Sequence, residues 1–153
     1  MTKLRYPATH TVAQVDDYHG TLVPDPYRWL EDLNSPETQA WIEAQNALTF
    51  SYLRQLPARD KIRYRLAELW DSPKTGAPFK RGGHYFQFRN TGLQNQDVLY
   101  VMNSPAGEGR VLLDPNTLSA DGTVALTGAE VSRDGVWLAY ATSASGSDWK
   151  TWY

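Results

Sequence analysis

Ser132-Arg133-Asp134-Gly135-Val136-Trp137-Leu138-Ala139-Tyr140 repeats the pattern of Lys80-Arg81-Gly82-Gly83-His84-Tyr85-Phe86-Gln87-Phe88, from which it is displaced by 52 positions (132 minus 80). In each copy a tight polar turn, Asp134-Gly135 or Gly82-Gly83, leads into a run dense in aromatic residues that closes on Tyr140 or Phe88. That is the pattern of a strand leaving a hairpin turn. The register continues past the strand, where Asn90-Thr91 falls opposite Thr142-Ser143. Copies displaced by a period near fifty, with several short strands in each, predict β-propeller blades. A blade cannot cover both of its own faces, so each needs neighbours.

Working outward from the first copy, His84 to Asn90, Asp97 to Asn103 and Arg110 to Leu113 are short β-prone runs. Thr91-Gly92-Leu93-Gln94-Asn95-Gln96 and Ser104-Pro105-Ala106-Gly107-Glu108-Gly109 separate them. With a brief strand near Pro78 to Lys80 they predict one four-stranded blade. Asp114-Pro115-Asn116 through Asp121-Gly122-Thr123 then bridges to a second unit, with strands near Ala129 to Val131, Val136 to Thr142 and from Trp149 onward. A closed propeller of seven blades of about 50 residues needs roughly 350 residues. At 153 residues the sequence therefore reads as the start of something longer, about one and a half blades.

The character changes near residue 70. Upstream, Ser35 before Pro36 is an N-cap followed by a first-turn proline, and Trp41, Ala44, Leu48 and Tyr52 recur at helical spacing, predicting a helix to about Leu56. Pro57 breaks it, and Ile62, Leu66, Leu69 and Trp70 predict a second, shorter amphipathic helix. Asp71-Ser72-Pro73-Lys74-Thr75-Gly76-Ala77-Pro78 has the composition of a linker. The fold class expected is thus an α+β fragment. Residues 1–70 form an N-terminal helical hairpin segment, 71–79 lead into the first blade, and 80–153 supply the first one to two four-stranded blades of an incomplete β-propeller.

Composition narrows function by exclusion. The 15 Lys and Arg are balanced by 17 Asp and Glu, so no basic stripe for a phosphate backbone is expected and nucleic acid is not an expected partner. There is no cysteine, hence neither disulfide nor thiolate metal site. No stretch has the length and apolarity of a membrane span or a signal peptide, so the expected protein is soluble, cytoplasmic and without a membrane partner. His10, Asp16, Asp17 and His19 lack zinc-ligand spacing, and neither a metal nor a cofactor is expected. Trp29, Trp41, Tyr52 and Trp70 are expected to pack in a core rather than form a ligand cage. Gly107-Glu108-Gly109 is too short for a phosphate loop and is expected as a hairpin turn.

Tyr18-His19-Gly20, Asp25-Pro26-Tyr27-Arg28-Trp29-Leu30-Glu31-Asp32, Glu43-Ala44-Gln45-Asn46, Asn90 through Gln96, Leu113-Asp114-Pro115-Asn116 and Ser143-Ala144-Ser145-Gly146-Ser147-Asp148-Trp149 together resemble the N-terminal part of the prolyl oligopeptidase family, in its order and spacing. The resemblance spans nearly the whole chain. It implies a serine peptidase that cleaves short peptides after proline, in which the helical segment packs on a C-terminal α/β-hydrolase domain and a seven-bladed propeller covers the active site. The partners it implies are the missing C-terminal α/β-hydrolase portion and, for the complete enzyme, short proline-containing peptides.

Catalysis in that family needs a serine on a strand-to-helix elbow, then an aspartate and a histidine. No serine here has glycine both two residues before and two after it, so no catalytic residue is assigned and the chain alone is expected to be inactive. If the repeats are blades, Thr91 to Gln96, Ser143 to Asp148 and the link Asp114 to Thr123 emerge on one face. Asp148 and Trp149 are the candidates there for interdomain or substrate-channel contact. The plainer alternative is that Asp148 caps its own turn and Trp149 packs between blades. An alternative of a different class is a stand-alone noncatalytic propeller-type interaction module, against which an unfinished blade counts.

Overall fold

A computed structural model describes residues 4–153. They divide into two compact units, one ending at Ile62 and the other running from Arg63 to Tyr153.

The first unit begins with a hairpin to whose strands the sequence reading assigned nothing, around the turn at Tyr18-His19-Gly20. β1 (Val15–Tyr18) pairs antiparallel with β2 (Thr21–Pro24) in the register Val15↔Pro24 to Tyr18↔Thr21. The turn between them places His19 at φ 56° and Gly20 at φ 90°. Two positive φ values in succession define the reversed turn that matches strand twist. Asp17 Oδ1 accepts from the Gly20 amide at 2.6 Å. Beyond β2, Arg28 reaches back to both Asp16 and Asp25.

α1 (Pro36–Arg54) starts as expected at Ser35, whose hydroxyl oxygen accepts from the Thr38 amide at 3.1 Å. Thr38 is 1% exposed and donates its own hydroxyl to the Trp29 carbonyl at 3.0 Å, which ties the helix start to the preceding turn. The Trp41 indole donates to Thr9 Oγ1 at 2.8 Å, and His10 stacks on Trp29 with centroids 4.2 Å apart. Trp29 and Trp41 are half-buried, whereas Tyr52 and Trp70 are 46% and 66% exposed. The core packing expected of these last two is not made by the described residues. α2 runs Arg59–Trp70, and none of its residues is buried.

The second unit is built from two antiparallel sheets. In the first, β5 (His84–Asn90), β6 (Val98–Met102) and β7 (Arg110–Leu113) follow one another as a meander. β3 (Lys74–Thr75) and β4 (Phe79–Arg81) both pair with β5, at Asn90–Arg89 and Phe86–His84 respectively. Since β6 occupies the other edge of β5, these two short strands share one position. The sheet thus has five strands where four were expected, and β3 lies inside the stretch read as linker. The break falls at Gly76-Ala77-Pro78, where proline has no amide to give to a ladder. The Gly76 amide and carbonyl still bond to β5, through Phe88 O at 2.9 Å and the Gln87 side chain at 2.8 Å.

The second sheet has the order β10-β9-β8, with β8 Val124–Val131, β9 Leu138–Ala144 and β10 Thr151–Trp152. β8 begins five residues before its expected start at Ala129, because a register shift between Leu126 and Gly128 lets Val124 to Leu126 stay paired with β9. β9 begins at Leu138, two residues later than expected, since Val136 and Trp137 belong to the turn. The core is Phe86, Leu99 and Val131, packed by Phe79, Phe88, Val101, Leu112, Leu113 and Leu138 from both sheets.

The turns of the two repeat copies meet. The Gly82 amide donates to Arg133 O at 2.9 Å, and a Cβ on Gly82 would lie 2.0 Å from Asp134 O. Glycine at these turns therefore serves close backbone approach as well as positive φ.

Candidate functional site

Antiparallel pairing sends alternate connections to opposite ends of the sheets. The β5–β6, β7–β8 and β9–β10 loops fall at one end, and hydrogen bonds gather them into a single surface. The first loop closes on itself: the Asn90 amide group donates to Gln94 O and Asp97 Oδ1, both at 3.1 Å, and its Oδ1 accepts from the Gly92 amide at 2.9 Å. Asn90 is 7% exposed, and these three bonds satisfy it.

Gln96 and Asn116 join the first loop to the second. The Gln96 amide donates to Asn116 Oδ1 at 3.0 Å, while Asn116 Nδ2 donates to Gln96 O at 2.9 Å. Asn116 is itself held by Asp114, the N-cap of the short 3-10 turn Pro115–Thr117. The Gln96 side chain then reaches β8, donating to Val124 O at 2.8 Å and accepting from the Leu126 amide at 2.7 Å. The third loop is tied to the second through Ser145 N, which donates to Thr123 O at 2.9 Å.

Electrostatically the surface is mildly acidic. Asp121 is held below its ordinary value of 3.8 by the Thr123 hydroxyl and the Thr123 amide. Within the third loop, Ser145 sits at φ 52°, and the Ser143 hydroxyl donates to Ser147 O. Asp148 is exposed, and Trp149 is 88% exposed, its amide donating to Ser147 Oγ at 3.1 Å. Trp149 also borders a depression of about 540 Å³ floored by Leu118, Tyr140 and Tyr153. The face can therefore offer an aromatic surface beside a free-standing carboxylate.

The histidines are placed elsewhere. His10 is stacked on Trp29 with Nε2 3.1 Å from Glu37 Oε1, His19 is in the β1–β2 turn, and His84 begins β5 at the opposite end from the loops. Among the described residues none of the three is hydrogen-bonded to a serine hydroxyl, and no group of three or more His, Asp or Glu is arranged to hold a metal. No helix among them is long and apolar enough to cross a membrane. Sequence reasoning assigned no role to Gln96 or Asn116. They lie 20 positions apart, and only the fold brings the Asn116 side chain to the Gln96 main chain.

Residues 7–153 match the family described as prolyl oligopeptidase, N-terminal beta-propeller domain. The chain is 43% identical over 146 residues to the prolyl endopeptidase of Elizabethkingia meningoseptica, covering 95% of this chain and 21% of that protein. It is 38% identical to the dual function macrocyclase-peptidase POPB of Amanita bisporigera, across 97% of this chain and 22% of the relative. A structure solved in a study of two prolyl endopeptidases superposes with a TM-score of 0.82 at 39% identity, over 97% of this chain and 22% of that one. Prolyl oligopeptidase B of Galerina marginata, bound to a 35mer substrate, superposes at 0.76 with 37% identity, over 98% of this chain and 23% of that one. The chain thus spans about a fifth of the length of these relatives. A match of this extent, with the fold agreeing, places the chain in the prolyl oligopeptidase family, in its N-terminal β-propeller domain.

Proposed function

We propose that the chain works as the N-terminal part of a prolyl oligopeptidase, a serine endopeptidase hydrolysing short peptides after proline, and supplies none of its catalytic triad. Residues 1–70 anchor a C-terminal α/β-hydrolase portion, 71–79 lead into the first blade, and 80–153 begin the propeller that gates peptide entry. The two sheets are the first blade and part of the second.

One observation carries this reading. Ile62, Leu66, Leu69 and Trp70 recur along one stripe of α2 and are 56%, 57%, 58% and 66% exposed. Contiguous apolar surface of this kind marks a docking face. Burying each such side chain contributes roughly 1.5–3 kcal/mol, and the hydrolase portion is the element that would do so. The loop face supports the same assignment more weakly, with Asp148 and Trp149 offered to the hydrolase portion or to peptide entering beneath it.

The test is complementation. The chain is co-expressed with the remaining C-terminal portion of the Elizabethkingia meningoseptica prolyl endopeptidase and assayed on a proline-containing reporter peptide. Neither part alone turns the reporter over, the pair does so, and a serine-directed phosphonate blocks it. Leu66→Glu weakens the rescue. A chain that is monomeric, melts in one cooperative step, exposes no dye-accessible apolar surface and gains nothing from the partner would overturn the proposal in favour of an autonomous interaction module.

A further inference from the structure

Gln96 behaves as a piece of strand. Its side-chain amide donates to Val124 O and accepts from Leu126 N, at 2.8 and 2.7 Å, which is the pair of bonds a neighbouring strand would make to the edge of β8. Its own main chain is locked to Asn116 by two further bonds of 3.0 and 2.9 Å. A flexible side chain gains little from one exposed hydrogen bond, but here four bonds hold one half-buried residue in a single geometry. β8 starts at Val124, and the preceding Thr123 carbonyl is the acceptor that receives Ser145 N, in the loop bearing Asp148 and Trp149.

We propose that Gln96 is the positioning residue of the loop face: it clasps the first sheet to the edge of β8 and through Thr123 sets the position of the Ser143–Asp148 loop. The clasp is a property of this chain. Its consequence for peptide handling rests on the reading of the loop face given above.

Amide hydrogen exchange of the full 153-residue chain, read by mass spectrometry at residue level, tests it. Gln96→Ala is expected to speed exchange at Leu126 and Ser145 by about tenfold while the core amides of β5 and β6 keep their rates. Gln94→Ala, which removes only an acceptor for Thr91 within the first loop, leaves both rates unchanged. Gln96→Glu provides a signature that a merely space-filling role would not move. At pH 7 the introduced carboxylate accepts from Leu126 but has no proton for the Val124 carbonyl; near pH 4 it regains that donor, so protection at Ser145 recovers relative to the parent chain at the same pH. Unchanged exchange at Leu126 and Ser145 in Gln96→Ala, or a pH-independent Gln96→Glu, overturns the clasp. If the alanine variant fails to fold, the pH comparison in Gln96→Glu decides. In the complemented enzyme Gln96→Ala is expected to raise KM for the reporter peptide at least threefold with kcat held. Altered exchange with unchanged KM would leave the clasp standing and overturn the functional reading of the face.

Discussion

Gly82→Ala is expected to separate the two repeat turns. Gly82 has φ 54°, where an L side chain costs about 1–2 kcal/mol. Its new Cβ would stand 2.0 Å from the Asp134 carbonyl oxygen and 2.6 Å from the carbonyl carbon, and these are backbone atoms that no rotamer change can move aside. The turns must therefore part. The Gly82 amide then loses the Arg133 carbonyl, now 2.9 Å away, at a further cost of about 0.5–1.5 kcal/mol. The sum, roughly 1.5–3.5 kcal/mol, is a large fraction of the 5–15 kcal/mol that holds a typical domain together. Urea unfolding followed by circular dichroism measures it, with Gly83→Ala as the control, because nothing lies within 4 Å of a Cβ at that position. Equal midpoints for the two variants would refute the claim that the repeat turns are joined by close backbone contact.

Leu99 is 0% exposed at the centre of the core, so Leu99→Ala is expected to cost about 2–5 kcal/mol in the same assay, whereas Val111→Ala, at a site 48% exposed, will cost well under half of that. Acid stability follows from two carboxylates. Asp134, held low by the Ser132 hydroxyl and the Val136 amide, and Asp121, held low by Thr123, both have folded values below 3.8. Their contribution is complete above that value and disappears as pH falls through the lower folded one, so Asp134→Asn will flatten the decline of the urea midpoint below about pH 4 while leaving its slope near neutrality unchanged. Added zinc will leave the thermal midpoint unaltered, with His10 engaged by Trp29 and Glu37; a rise of several degrees at micromolar zinc would revive a site at His10 and His19.

Local chemistry made the repeat, the helices and most strands legible. Ser35-Pro36 suits a helix start, because an unpaired first-turn amide needs an oxygen and proline has no amide to leave unpaired, and the helical spacing from Trp41 to Tyr52 follows it. Gly82-Gly83 and Asp134-Gly135 announce their turns because positive φ is cheap only without a Cβ. Even the shared end of the three loops follows from strand alternation alone. Other features are decided by partners distant in the chain. β3 is two residues long and exists only because Asn90 and Arg89 offer an edge, so no local propensity marks it. The β1–β2 hairpin begins in a polar stretch whose alternation is too weak to read, and cross-strand pairing completes it. The contact between the turns at 82 and 135, and the clasp of Gln96 on Val124 and Leu126, join residues about 30 to 50 positions apart, and nothing local to Gly82 or Gln96 names the distant partner. Sequence determines which residues can turn, pair or cap, since those preferences act within a few bonds. Which edge meets which amide is a matter of distance in space, and only the packed sheets set it.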